Sequence, residues 1–315
     1  MRMLVAWALA AACAGWAVLR LLGLERGFPL VPLVAYTPFV AAGAVVVVVV
    51  AVVLRQRAAA LVAAVVALAL GAVVAPRALG GPSDPAGDPG PRLRVLTSNL
   101  RYGHASAESL VALVRSTRAD VLSLQELTPE AVRALDAAGL GEVMPHYVLH
   151  AAGGGDGTGL YSRLPLDEAP SPEGTSFTMV AARAHPRGGP VVGLVAVHPS
   201  APVRHGIQFW RRDLRALPAA GGSPLLILAG DFNATLDHAE LRRLIDTGYE
   251  DAAATVGAGL RPTWPQGRRI PPPVTIDHVL ADERCGFRAV SVHTIPGTDH
   301  RAVYAELALP KGART

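Results

Sequence analysis

The residues of this chain that could do chemistry stand at the ends of apolar runs. In Leu225–Asp237, LLILAGDFNATLD, the run Leu225–Ala229 follows Gly221-Gly222-Ser223-Pro224 and is too short for a globular helix, so it reads as a strand buried on both faces. It delivers Asp231 and Asn233 at its C-terminal end. Residues two apart on an extended backbone point the same way, so this carboxylate and this amide can address one ligand from one side. Gly230 leaves room for something to approach the backbone. The plainer alternative is a strand-to-helix turn, with Asn233 or Thr235 capping a helix that begins near Leu236. The same placement recurs along the chain. Asn99 and Glu126 end the first two strands, His198 ends a middle one, Asp277-His278 lies inside a late strand, and Asp299-His300 precedes the last. Taken singly, each also reads as a turn former, a solvated charge or a hydrogen-bonded histidine at a core edge.

The elements that must position these groups form a mixed α/β pattern from Arg92 onward. Strands are expected at Leu93–Leu100, Asp120–Leu124, Tyr147–His150, Gly159–Ser162, Phe177–Ala184, Val191–His198, Leu225–Ala229, Thr275–Ala281, Ala289–Thr294 and Ala302–Leu307. Helices are expected at Ser106–Thr117, from Pro129, at His205–Leu217 and at Leu236–Thr247. Hairpin-spaced strands with helices distributed between them imply two packed sheets with helices outside.

Ahead of this domain, residues 1–76 hold three apolar stretches, Met3–Leu24, Leu33–Leu54 and Ala58–Ala75, each close to the roughly 20 residues that cross a bilayer. A second and a third stretch following the first argue against a cleaved signal peptide. The purely basic Arg55-Gln56-Arg57 turn and Arg2 favour a cytoplasmic N-terminus, so three crossings place the rest of the chain outside the cytoplasm at the cell membrane. Residues 77–91, rich in Gly and Pro, read as a linker that tethers the domain 92–309 within a few tens of ångströms of the membrane, at about 3.1 Å per residue; residues 310–315 form a tail. The sequence pI of 9.4 is misleading about that domain. Beyond Pro91 there remain 23 basic and 22 acidic residues, and no basic stripe for a phosphate backbone. Two distant cysteines, Cys13 and Cys285, make no disulfide framework or zinc site.

Several short pieces stand in a telling order: TSNLRYG at Thr97–Gly103, LQE at Leu124–Glu126, YSRLPL at Tyr161–Leu166, VHP at Val197–Pro199, GDFN at Gly230–Asn233, PTWP at Pro262–Pro265, IDHVL at Ile276–Leu280 and TDH at Thr298–His300. The chain from Arg92 to about Leu309 thereby resembles the endonuclease/exonuclease/phosphatase superfamily of metal-dependent phosphoesterases. That resemblance implies an α/β fold, a four-layered α/β/β/α sandwich with the site at one end of the two sheets, here preceded by three transmembrane helices. It also implies Glu126 as main metal ligand, helped by Asn99 and Asp299. Hard oxygen ligands without a Cys/His cluster favour Mg²⁺ or Mn²⁺. Asp231 and Asn233 would orient water and phosphate, with Asp231 either a metal ligand or the base. His300, polarised by Asp277, would complete that machinery, and His198 would protonate the leaving oxygen or stabilise the transition state.

There are departures from the deoxyribonuclease branch. Ala196 stands where an Asn is usual, and His198 lacks an assigned acidic partner, Asp156 being the nearest candidate. His278 should face away from the site. Trp264 reads either as a stacking platform or as part of a packed loop, and Arg163 as a phosphate contact or a surface residue. The expected function is membrane-anchored phosphoester hydrolysis. Its substrate is a lipid headgroup, a small phosphoester or a nucleic acid, and the lipid bilayer is a partner of the N-terminal helices. A silent binding module on a membrane scaffold is the alternative of another class.

Overall fold

The computed structural model describes residues 1–311. Twelve strands are described: β1 (Pro89–Asn99), β2 (Val121–Gln125), β3 (His146–His150), β4 (Thr158–Ser162), β5 (Leu166–Ala169), β6 (Ala181–Ala184), β7 (Val192–Val197), β8 (Leu225–Asp231), β9 (Tyr249–Asp251), β10 (Asp277–Asp282), β11 (Gly286–Thr294) and β12 (Arg301–Pro310). They form two six-stranded sheets, ordered β11-β12-β1-β2-β4-β3 and β5-β6-β7-β8-β10-β9. Successive residues serve opposite faces. Val95 and Val121 join Ile227, Leu194 and Ala182 between the sheets, while Leu96 and Leu122 meet Leu110, Val114 and Leu135 on the outside. Burial on both faces explains why these strands read as continuous apolar runs. On the second sheet Val195, Val197 and Leu228 pack under Trp210, Leu214 and Leu241. The result is helix, sheet, sheet, helix.

The helices are α1 (Arg2–Leu21), α2 (Leu30–Val34), α3 (Thr37–Val53), α4 (Arg57–Val74), α5 (Pro76–Leu79), α6 (Ala107–Thr117), α7 (Pro129–Ala137), α8 (Leu140–Val143), α9 (Ile207–Ala216), α10 (Ala239–Ile245) and α11 (Ala252–Thr255). Local chemistry sets their ends. Ser106 and Thr128 cap α6 and α7 by accepting hydrogen bonds from Ser109 N–H and Ala131 N–H. The helix expected from Leu236 starts only at Ala239, because His238 Nδ1 accepts from Thr235 N–H and holds the preceding residues in a turn. The strand expected at Phe177–Ala184 shrinks to Ala181–Ala184, since the Asp156 carboxylate takes Thr178 N–H out of the ladder.

The three apolar stretches form helices that pack on one another, with one correction. Leu33–Leu54 is not a single helix: it breaks at Ala35-Tyr36, and α3 restarts at Thr37 with Pro38 in its first turn, where a missing N–H costs nothing. By length and composition α1 and α4 can cross a membrane, whereas α3, at 17 residues, is shorter. Their packing places small residues inside, including Ala6, Ala10, Ala44, Ala59 and Ala63, and large ones outside, including Leu4, Val46, Val53, Leu61 and Leu68.

Residues 77–91 are not the free linker that their composition suggests. Ser83 and Phe287 exchange backbone hydrogen bonds of 2.8 and 3.2 Å, Ala86 N–H donates to Arg284 O, and β1 already begins at Pro89. Glycines make this close packing possible, a Cβ at Gly80 falling 2.0 Å from Thr255 O. The N-terminal region is clamped as well. Arg20 and Arg77 both pair with buried Asp237 at 2.7 Å. Glu25 accepts from Ala239 N–H at the start of α10, and Val31 of α2 is buried among Trp210, Leu214 and Leu241. Of the expected tail 310–315, Pro310 ends β12 and residues 312–315 lie outside the described residues.

Candidate active site

Strand direction assembles the site. β1 and β2 run parallel with Asn99 opposite Gln125, and β7 and β8 run parallel with Val197 opposite Gly230. Asp277 opens β10 opposite Asp231. One end of the sandwich therefore collects Asn99, Glu126, His198, Asp231, Asp277 and His300.

Asn99 ties the two sheets together there. Its Nδ2 donates to Glu126 Oε1 at 3.0 Å and to Asp231 Oδ2 at 3.1 Å, while its Oδ1 accepts from Arg101 N–H at 2.8 Å. As it stands, the amide bridges two carboxylates. Glu126 Oε2 also accepts from Tyr102 N–H at 2.7 Å. Arg101, Tyr102, Glu126 and Asn233 all have positive φ, between 47° and 55°. Such backbone is strained for a side chain with a Cβ and concentrates at functional sites.

Asn233 differs from the sequence expectation in one respect. Its φ of 48° takes it off the extended backbone, so it does not share Asp231's direction by alternation. Its N–H instead donates to Asp231 Oδ1 at 2.8 Å, and its Nδ2 donates to Pro199 O at 3.1 Å. It caps no helix. Gly230 does admit a close approach, but by the neighbouring strand: a Cβ there would sit 2.0 Å from Val197 O.

Two histidines flank Asp231. His300 Nε2 lies 3.7 Å from Asp231 Oδ2, and its Nδ1 lies 3.1 Å from both oxygens of Asp277. Burial works against a charged His300 ring, but Asp277 and Asp231 outweigh it and push its pKa to about 10. His198 behaves oppositely. Its Nδ1–H donates to Gly155 O at 2.9 Å, its face stacks on Phe177, and its Nε2 points at Glu126 and Asp231 from 3.8 and 3.9 Å. Burial lowers its pKa, against the pull of Asp231. Burial likewise raises Asp231, Asp277 adding to the rise and His300 opposing it. Its partner being a carbonyl, His198 has no acidic partner on Nδ1; Asp156 bonds Thr178 N–H and His150 instead.

Asp299 Oδ2 accepts from Trp264 Nε1 at 3.2 Å and its Oδ1 lies 3.7 Å from Arg101 Nε. Trp264 thus belongs to the site wall. Arg163 is exposed and lines no part of the cavity, whereas Arg101, which the sequence reading passed over within TSNLRYG, does. His278 faces away, bonded to Asp251 at 2.7 Å and Ala234 O at 2.9 Å.

The donor set fits a hard cation. Four carboxylates, Glu126, Asp231, Asp277 and Asp299, line or abut one cavity, and among the described residues Arg101 is its one arginine or lysine. Asp231, Asp277 and His300 also cluster, their polar atoms within 4.8 Å of one another, but a His300 ring protonated at both nitrogens offers a cation no lone pair, so this group serves proton chemistry. Bare His198 Nε2 facing two carboxylate oxygens leaves acceptor opposite acceptor, an arrangement that a cation or a bound donor between them relieves.

The cavity, about 650 Å³, extends well beyond these groups. Its remaining wall is largely apolar and includes residues that sequence reasoning missed altogether: Pro32, Ala35 and Tyr36 from the N-terminal region, with Val203, Pro271 and Val274 of the domain. Nothing in the spacing of an apolar stretch announces that it will reach a distant site.

The sequence profile described as the endonuclease/exonuclease/phosphatase family matches residues 96–300, about two thirds of the chain. Among curated proteins none matches. Similar solved structures include humanized D. rerio TDP2, at 18% identity and a TM-score of 0.55 over 69% of this chain and 98% of that one. D. rerio TDP2 complexed with a single-strand DNA product gives 16% and 0.53 over 69% and 98%. A Leptotrichia buccalis endonuclease/exonuclease/phosphatase family protein gives 14% and 0.52 over 68% and 99%. Likeness at these identities establishes the fold, the two-sheet sandwich.

Proposed function

The chain belongs to the endonuclease/exonuclease/phosphatase family, and from that premise we propose that it is a divalent-metal-dependent phosphoesterase, anchored in the cell membrane by residues 1–76, with its domain 92–309 outside the cytoplasm. The observation that carries the activity is Asp231 held between two histidines of opposite proton affinity. Titratable neighbours pushed apart in pKa are what acid–base chemistry requires.

Asp231, raised by burial, takes a proton from water as the water oxygen bonds to phosphorus. The ester P–O bond breaks, and the leaving oxygen takes a proton from His300, whose ring keeps both protons at neutral pH. Asp277 orients that ring. This division shifts the acid role expected of His198 to His300; His198, neutral and bare at Nε2, lies beside the reacting groups as an acceptor. Glu126 and Asp299 would hold a divalent cation, Mg²⁺ or Mn²⁺, which would supply charge neutralisation at the phosphoryl oxygens. Asn99, expected as a third ligand, turns its NH2 to Glu126 and Asp231 and serves here to brace those carboxylates. Asn233 braces Asp231 through its N–H.

The anchor reading is supported by α1 and α4, and by a bundle that turns large apolar side chains outward. Water disfavours such a surface and hydrocarbon accepts it.

The test uses the reconstituted full chain with bis-(p-nitrophenyl) phosphate. The expected result is hydrolysis that requires Mg²⁺ or Mn²⁺, is abolished by EDTA, and falls about 100-fold or more in Asp231→Asn while the thermal midpoint stays near that of the parent. A rate that survives both EDTA and the substitution overturns the proposal.

A further inference from the structure

Resting on the phosphoesterase reading, we propose that the substrate is a phospholipid of the membrane itself, and that the short helix α2 with Tyr36 forms the wall along which its apolar part reaches the site.

Tyr36 has two positions at once. It lines the catalytic cavity, and it is the residue immediately before α3, the 17-residue apolar helix Thr37–Val53. Pro32 and Ala35 line the same cavity, and Ala35 is buried against Val274 and Ile276 of the α/β domain. The wall of the site is thus continuous in sequence with a membrane helix. Its level is fixed too. α2 hangs between the end of α1 and the start of α3, so it lies at the end of the bundle that meets the domain, where a bilayer's interface would be.

This placement is rigid. Arg20 near the end of α1 and Arg77 just after α4 share Asp237, at the far side of the GDFN turn. Glu25 and Arg20 bind the domain further through Arg211 and Arg242, whose side chains donate to their backbone carbonyls at 2.8 and 2.9 Å. A domain on a loose tether could meet any phosphoester in solution. One clamped in this way presents the same mouth to the same surface at every turnover.

The chemistry along the cavity is graded. Its inner end is carboxylate and imidazole, while Pro32, Ala35, Tyr36, Val203, Pro271 and Val274 make up an apolar stretch of its wall. Val203 remains 61% exposed, and Ile270, next to Pro271, is 87% exposed. Leu260 shares a second cleft with Phe39 and Pro38 of α3. These exposed apolar side chains of the domain lie beside, or next in sequence to, residues that meet the N-terminal region. A polynucleotide would need cations along its path, and a small polar phosphoester would gain nothing from an apolar wall. An amphiphile with its phosphate inward matches both ends. Hydrolysis follows the balance given above: water adds to phosphorus, one ester P–O bond breaks, and the products are a phosphomonoester and an alcohol, one of which keeps the acyl chains.

The test takes the reconstituted full chain with Mg²⁺ and compares three probes. They are vesicles of phosphatidylethanolamine, phosphatidylglycerol, phosphatidylinositol and phosphatidylcholine in equal parts, followed by ³¹P NMR; bis-(p-nitrophenyl) phosphate; and a single-stranded oligonucleotide. The expected result is hydrolysis of vesicle lipid, with the ratio of vesicle to soluble-diester rate falling at least about fivefold in both Tyr36→Asp and Val203→Asp. Because Val203 is 61% exposed, its substitution leaves the fold intact even should Tyr36→Asp fail to fold. Intact vesicle lipid alongside hydrolysis of the soluble diester or the oligonucleotide overturns this inference and leaves the phosphoesterase reading standing. Lipid hydrolysis with an unchanged ratio in Val203→Asp overturns the role of the wall. Failure on all three probes overturns both.

Discussion

In the α/β domain the largest side chains are inside, with Trp210, Phe232 and Phe287 fully buried between layers. In the N-terminal bundle the order is reversed, alanines fill the centre, and Val46, Val53 and Leu68 face outward. Both regions close-pack, but with opposite residues on the outside, and the proposed membrane anchor accounts for the difference by a change of solvent. Water drives large apolar groups inward, whereas hydrocarbon is indifferent to them and leaves close approach of backbones as the main gain. The seam between the two regions follows a third rule. It is charged, with Asp237 between Arg20 and Arg77 and with Glu25 at the start of α10. Neither hydrophobic burial nor small-residue packing would fix one orientation there, while a bidentate guanidinium–carboxylate pair does.

The largest expected effect comes from breaking that seam. Asp237→Ala leaves two buried guanidinium groups without a carboxylate and should cost about 3–5 kcal/mol, read as a lowered urea midpoint for the domain in the detergent-solubilised full chain. The pH dependence has a definite sign. Burial raises Asp237, but Arg77 and Arg20 more than offset this and hold its pKa below the usual carboxylate range. A depressed folded pKa contributes stability that is full above the unfolded value, about 3.9, and is lost as pH falls through the folded one. Parent and Asp237→Ala should therefore converge in stability at strongly acidic pH, separate as pH rises towards about 4, and keep a constant gap above it. A gap that stays constant down to strongly acidic pH would place the seam's strength elsewhere.

The second effect tests what surrounds the bundle. Val46 is near the middle of α3 and 61% exposed. In hydrocarbon, Val46→Lys should cost about 2.5–3.5 kcal/mol in apparent insertion, visible as a shift of the chain out of the membrane fraction; on a water-facing surface the cost is within about 0.5 kcal/mol. A neutral Val46→Lys would remove the contrast between the two regions and, with it, the anchor reading.

How much of this was legible in the sequence divides along the same boundary. The sandwich was legible because its strands are short apolar runs between turn formers. Asn99, Glu126, His198, Asp231, Asp277, Asp299 and His300 were singled out by the family resemblance of the pieces that hold them, since each alone also reads as a turn former, a solvated charge or a core-edge histidine. The structure brings Asn99, Glu126, His198, Asp231, Asp277 and His300 to one end of the sandwich. Asn233 was found for a partly wrong reason: alternation does not extend past Asp231, and a positive φ at 48° is set by the tertiary surroundings. The linker was misread because Gly and Pro signal the lack of regular structure, not the lack of partners. Ser83 and Ala86 pair with β11 and its approach through backbone groups that carry no sequence signature. Least legible was the contribution of Pro32, Ala35 and Tyr36 to the cavity.

The smallest effect sharpens the comparison within the bundle itself. Ala44 is fully buried with Ala17, Ala41, Val66 and Leu70, at the level where α3 meets its neighbours. Added methylenes there force helices apart or side chains off their rotamers, so Ala44→Leu should cost about 1–3 kcal/mol. Enlarging an outward residue, as in Val46→Leu, should cost less than about 0.5 kcal/mol. The measurement is a detergent-denaturation titration of the two variants side by side. In a bundle whose specificity comes from close backbone approach, volume matters inside and is ignored outside, so the two curves separate. Coincident curves would mean that the alanines are merely permissive, and that the seam at Asp237, not helix packing, holds the N-terminal region in place.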